Sequence, residues 1–131
     1  MYFTNENAMK CDAIRMQIGR WKKGKDITEN EYFFLLATLL ENIDKVANTA
    51  SVYGAFLKKF KKSALQPLTL TPANFFLNDH DHEVYNDDIL EVAKLTSHDV
   101  VYLDPPYNER QYSSNYHMLE TIAKYDNPKI K

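Results

Sequence analysis

Val100-Val101-Tyr102-Leu103-Asp104-Pro105-Pro106-Tyr107-Asn108 is the stretch on which the reading of this 131-residue chain turns. Four β-branched, aromatic or apolar residues make a strand buried on both faces. That strand runs into a carboxylate, a stiff diproline and an aromatic ring. Open α/β sheets bind ligands at the carboxyl ends of their strands, which is where Asp104 falls. Proline fixes its own φ and holds the residue before it extended, so Asp-Pro-Pro also serves as ordinary turn material. As a site, the same groups can grip a planar heterocycle with an amino edge.

Outward from this stretch, residues 82–126 read strand, helix, strand, helix. Val84-Tyr85 is a brief strand, Asn86-Asp87-Asp88 a cap, and Ile89 to Leu95 a short amphipathic helix. After the strand 100–103, a further helix begins at Asn115 or Tyr116. Met118, Leu119, Ile122 and Ala123 are its apolar residues, and Pro128 lies just past its end. The pattern is half of an α/β domain, and two strands do not make a stable doubly wound sheet. The chain is therefore expected to be a piece of a larger fold.

Residues 1–66 read as helical. Met9, Ile14, Ile18 and Trp21 fall near i, i+4 spacing, with Gly24 as the stop. Thr28 followed by Glu31 is a capping box that opens a helix from about 29 to 49. Its core-directed face is Phe33, Leu36, Leu39, Leu40, Ile43 and Ala47. In residues 48–63, small polar residues precede Tyr53 and Gly54, and Lys58, Lys59, Lys61 and Lys62 flank Phe60. On a helix, Phe56, Leu57 and Phe60 would anchor one face. The lysines would then lie along phosphates or simply in water. Pro67 to Leu77 is an extended connection. Asn78-Asp79-His80-Asp81-His82 reads as a solvated polar turn rather than a metal site.

Bulk properties narrow the classes. Residues 8–66 carry eleven Lys/Arg against six Asp/Glu, and residues 67–131 carry five against eleven. Only the first part could face a polyanion broadly. One cysteine, Cys11, excludes an internal disulfide framework and a cysteine-based zinc site, and reads as a small packed residue. Neither a membrane span nor a signal-peptide h-region is present, so a cytoplasmic protein is expected. The chain has three glycines, Gly19, Gly24 and Gly54, too few for a glycine-rich nucleotide-binding loop.

The chemistry open to Asp104-Pro105-Pro106-Tyr107 follows from the weakness of an aromatic amino group as a nucleophile. Its lone pair is delocalised into the ring. Accepting hydrogen bonds from both amino hydrogens favours a pyramidal nitrogen with a localised pair. The Asp104 carboxylate can accept one and the Pro105 carbonyl the other, with the diproline fixing the direction of that carbonyl. Tyr107 can stack on the base face, as extruded bases are commonly held. Positioning and fixed dipoles then carry the rate.

These residues resemble the catalytic motif of S-adenosylmethionine-dependent, adenine-specific DNA methyltransferases. The continuation from Asn108 through Arg110, Tyr112 and Tyr116 to Asn127 is similar to the Dam-like restriction–modification methylases. So are Tyr2 to Asn7 with Asp12 to Arg15, and Asn48 to Ala64. The resemblance implies a partial Rossmann-like methyltransferase sheet of the α/β class, with an N-terminal helical segment. Residues 1–66 would lead into target recognition, and residues 67–131 would form part of the catalytic domain. Asp104, Pro105, Pro106 and Tyr107 would hold the flipped adenine. Asp88, or alternatively Asp87, would contact the cofactor's adenine, although either could equally be a helix cap. Asn48, Tyr53, Lys58, Lys59, Lys61, Lys62, Arg110 and Tyr112 would touch double-stranded DNA.

The family's Phe-x-Gly-x-Gly cofactor loop is absent from these residues, so an internal fragment, inactive alone, is expected. Three readings stand beside this one. The same motif grammar serves other planar amino substrates: cytosine, RNA adenine or a glutamine side chain. The chain could instead be a non-catalytic DNA-binding module. It could also be a helical domain that docks the missing half of a split enzyme.

Overall fold

The computed structural model describes residues 1–95, 97–105 and 111–126. Among them lie four α-helices: α1 (Asn5–Gly24), α2 (Glu29–Lys45), α3 (Ile89–Leu95) and α4 (Tyr112–Lys124), with a 3-10 turn at Lys62–Leu65. The chain divides into two units, residues 1–74 with 110–131, and residues 75–109. Residues 67–74 and α4 both fall in the unit of the N-terminal helices.

In the first unit, α1 opens on Thr4, whose side chain accepts from the Asn7 amide at 3.2 Å. Its expected stop, Gly24, is the last helical residue, and Lys25 takes the left-handed conformation at φ 62°. The face that α1 buries is Asn7, Cys11, Arg15 and Ile18. Periodicity pointed to Met9, Ile14, Ile18 and Trp21. Met9 and Trp21 are exposed instead. The stripe is rotated because Asn7 and Arg15, polar residues, have buried partners. Burial also pushes the Cys11 thiol up to about 11, as befits a packed rather than reactive cysteine.

The capping box forms as read. Glu31 N donates to Thr28 Oγ1, and Glu31 Oε2 accepts from Thr28 N at 2.7 Å. α2 ends four residues short of expectation. Tight bonds from Val46 N to Ile43 O and Ala47 N to Asp44 O close its last turn. Asn48 N then donates to Tyr2 O at 2.7 Å, drawing the chain off the helix axis. Leu36, Leu39, Ile43 and Ala47 are buried as expected, while Leu40 is half-buried and Phe33 exposed. The core joins Phe3, Cys11, Ile18, Leu39, Ile43, Val46, Ala47, Tyr53 and Leu68, with Met118, Leu119 and Ile122 of α4 packed against it.

Residues 46–73 are largely irregular, yet buried backbone must be hydrogen-bonded. Side-chain amides supply the bonds. Asn7 donates to Gln66 O at 2.9 Å and accepts from Leu68 N at 2.8 Å, pairing like a strand neighbour. Asn42 donates to Thr71 O at 2.7 Å and accepts from Thr71 N at 3.3 Å. Thr38 Oγ1 accepts from Ala73 N at 3.1 Å. These buried groups tack the extended connection onto α1 and α2 as far as the end of the unit.

α4 starts earlier than expected, at Tyr112, and is kinked at Tyr116, where φ is −127° and ψ 15°. Arg15 clamps its far end. Nε donates to Ile122 O at 2.8 Å and Nη2 to Ala123 O at 2.9 Å, a cation on the last-turn carbonyls. The Tyr125 hydroxyl bonds Asp12 on α1, which raises the phenol's pKa. Near the kink, Tyr53 N donates to Asn115 O at 2.7 Å.

The second unit is different. α3 is its regular element, and no strand forms among the described residues. Val84-Tyr85 and residues 100–103, both expected as strands, are exposed: Val84 is 94% and Tyr102 88% accessible. A strand exists only with a neighbour to complete its ladder, and these residues have no such neighbour here.

Candidate active site and nucleic-acid face

Asp104 and Pro105 follow the apolar run 100–103 and are exposed. Pro106, Tyr107 and Arg110 lie outside the described residues. Tyr112 opens α4, half-exposed, its ring 5.6 Å from that of Tyr116 in a tilted pair.

Asp88 and Asp87 are exposed ahead of α3. Asp88 Oδ1 accepts from Leu90 N at 2.8 Å, and its carbonyl accepts from Glu91 N and Val92 N. Asp87 Oδ1 accepts from Asp88 N at 2.8 Å. Asp88 thus caps α3, the role weighed for it from sequence. A cleft of about 390 Å³ in the same unit is lined by Asp81, Glu83, Tyr85, Val92 and His98, without either of them. Together with the scarcity of glycine, this means the described residues do not by themselves fit a complete methyl donor. They hold no glycine-rich cradle for the methionine part. Among the described residues no group of three or more His, Cys, Asp or Glu is placed to hold a metal.

The segment 48–63 is not the helix that was expected. It is a run of turns with one antiparallel bridge, Thr49 to Phe56, leading into the 3-10 turn. Phe56 packs edge-on against Tyr2, ring centres 5.4 Å apart. Lys58, Lys59 and Lys62 are exposed. Lys61 is half-buried, its Nζ donating to Thr49 O at 2.9 Å.

Two of the residues expected at DNA, Tyr53 and Asn48, are buried. Tyr53 is fully buried, its hydroxyl donating to Asp44 Oδ1 at 2.7 Å. Burial and that bond raise its pKa. Asn48 is also buried. Its amide donates to Met1 O and Leu57 O and accepts from Lys61 N at 3.1 Å. Asn48 holds the lysine segment to the N-terminus, and Tyr53 fixes it to α2 and α4. Arg15 was missed as a structural clamp.

The fold and the motif can now be set beside known proteins. The family described as D12 class N6 adenine-specific DNA methyltransferase matches residues 2–131. The chain belongs to this family. Among its relatives, Type II methyltransferase M.NlaIII of Neisseria lactamica is 59% identical over 125 residues, covering 95% of this chain and 37% of the relative. Type II methyltransferase M.FokI of Planomicrobium okeanokoites is 45% identical over 130 residues, covering 99% and 20%. Modification methylase StsI of Streptococcus sanguinis is 42% identical, again with 99% and 20% covered. The chain thus spans between a fifth and two fifths of the length of these relatives. No solved structure matches it significantly. No helix among the described residues is long and apolar enough to cross a membrane.

Proposed function

We propose that this chain carries the base-gripping part of a Type II adenine-specific DNA methyltransferase. The complete enzyme would move a methyl group from S-adenosylmethionine to the 6-amino group of an adenine flipped out of duplex DNA. The observation that carries this reading is Asp104-Pro105-Pro106-Tyr107 in a chain that the family matches over residues 2–131. The accessible Asp104 carboxylate and Pro105 carbonyl accept the two amino hydrogens, and Tyr107 stacks on the base. Extruding the base costs roughly a few kcal/mol, which contacts made only to the flipped state must offset.

Lys58, Lys59 and Lys62 supply phosphate contacts from the turn-rich segment, while Lys61 contributes charge from a tethered side chain. Arg110 and Tyr112, next along the chain after the motif, are assigned to the backbone beside the flipped nucleotide. Asp88, with Asp87 as alternative, is assigned to the adenine of the methyl donor. The sheet expected around residues 84–85 and 100–103 belongs to the same reading, as does a cytoplasmic setting with access to DNA.

The test replaces the matched stretch of the Neisseria lactamica relative by this chain and measures labelled methyl groups at adenine N6 in duplex DNA. Transfer is expected, with a loss of roughly a hundredfold or more for Asp104→Ala. The chain alone is expected to transfer none. Transfer by the chimera that survives Asp104→Ala unchanged would overturn the assignment.

A further inference from the structure

A cleft of about 440 Å³ opens in the first unit between the start of α1 and the end of the 3-10 turn. That volume falls within the ~300–1,000 Å³ of sites that hold small organic groups. Its functional groups are Asn5, Glu6 and Gln66, all exposed, beside the apolar Phe60 and Leu65. Leu65 is exposed although it adjoins the fully buried Ala64. The walls are tied together. Asn7, buried on the first turn of α1, donates to Gln66 O at 2.9 Å and accepts from Leu68 N at 2.8 Å. Asn5 and Gln66 are thereby held to one another through the backbone, a preorganisation that recognition favours.

The surroundings point to the partner. Between Asp44 and Asp79 the chain has no acidic residue, and Lys58, Lys59 and Lys62 are exposed along the segment that leads into the cleft. Lysines on phosphates position a duplex and carry no sequence information. The cleft itself is different: among the described residues lining it, none is lysine or arginine. Its one charged side chain, Glu6, repels phosphate. Amides and a carboxylate are instead the groups that meet base edges. An amide side chain pairs bidentately with adenine N6 and N7, apolar groups meet the thymine methyl, and guanine is read by arginine or lysine. We propose that this cleft is a base-reading site, in which Asn5 and Gln66 select an A·T pair through the major groove and Leu65 meets the thymine methyl. The pair is one that stays stacked, beside backbone held by the lysines. The proposal rests on the DNA-modifying reading above and adds where the target sequence is read.

The full 131-residue chain is mixed with randomised duplex DNA at fixed salt, and the bound fraction is sequenced. Selection of A·T at one position, by roughly tenfold over G·C, is expected. Asn5→Ala and Gln66→Ala together should erase that preference and leave the salt dependence of binding unchanged. Lys58→Ala with Lys59→Ala should instead weaken binding to every duplex and reduce the salt slope by about two, with the preference kept. Gln66→Glu should move the preference toward C·G, since a carboxylate accepts from cytosine N4 and cannot donate to adenine N7. A folding defect does not produce such a switch, and circular dichroism should show the helices unchanged in each variant. No binding, binding without a base preference, or a preference that survives loss of both amides overturns the proposal. A preference lost as expected, while the chimera with the Neisseria relative transfers no methyl group, leaves the base-reading site standing and counts against the enzymatic reading.

Discussion

In the unit formed by residues 1–74 and α4, apolar side chains meet across three helices, and irregular backbone is satisfied by buried amides. In residues 75–105, side chains of equal hydrophobicity point into water. Phe3, Leu39 and Tyr53 are buried. Phe76, Val100 and Tyr102 are not. Composition does not separate the two regions; the location of each one's partners does. Helices α1, α2 and α4 complete one another within this chain. An extended run such as 100–103 becomes a strand only beside other strands. The catalytic carboxylate proposed here therefore sits in the region that is least self-sufficient.

A pair of tyrosines gives the largest expected contrast. Tyr53 is fully buried, stacks at a tilt near Tyr2 and Phe3, and donates to Asp44. Tyr53→Ala should cost about 3–5 kcal/mol, the usual range for removing a large buried aromatic. Tyr102→Ala should lie within about 0.5 kcal/mol, as exposed positions do. Urea unfolding followed by circular dichroism of the helices measures both. Equal losses would mean that the two regions are not independent in stability.

How much of this was legible in the sequence depends on the range of the interactions. The Thr28–Glu31 capping box was readable because both partners lie within one helical turn. The same holds for α3 behind Asp88. The buried stripe of α1 was not readable, since Asn7 and Arg15 are polar and their partners lie 59 and 107 residues away. Apolar periodicity ranks such residues as surface. One usable signal was there: an asparagine within a helix is poor in propensity, and both Asn7 and Asn42 turned out to hold distant backbone. At the candidate site, Asp104 was read from its neighbours in sequence. Asn48 and Tyr53 were assigned to DNA from the sequence, and both are buried, Asn48 bonded to the Met1 and Leu57 carbonyls and Tyr53 to Asp44, partners that no local pattern announces.

Arg15→Met sharpens the comparison at its joint, because α4 follows directly on the catalytic segment. The substitution keeps much of the packing volume but removes charge-assisted bonds to Ile122 O and Ala123 O. A loss of about 2 kcal/mol is expected, in line with hydrogen bonds from charged groups. Amide exchange should accelerate in α4 far more than in α2. Uniform acceleration across both helices would show that Arg15 supports the whole core rather than anchoring α4.

The smallest effect expected is at the start of α2. Thr28→Ala removes the cap and should cost about 1 kcal/mol. The Thr28 amide and hydroxyl hold the Glu31 carboxyl below the usual carboxylate range. A carboxyl whose folded pKa is depressed contributes stability that is present above its unfolded pKa and lost as pH falls through the folded value. The native chain should therefore lose part of its α2 protection on acidification below about pH 4, and Glu31→Gln should flatten that loss while keeping the Thr28 cap. Because α2 lies wholly in the unit of residues 1–74 and α4, Val101→Asp in the other unit should leave this acid dependence unmoved, and a shift would mean that the contrast between the two regions has to be redrawn.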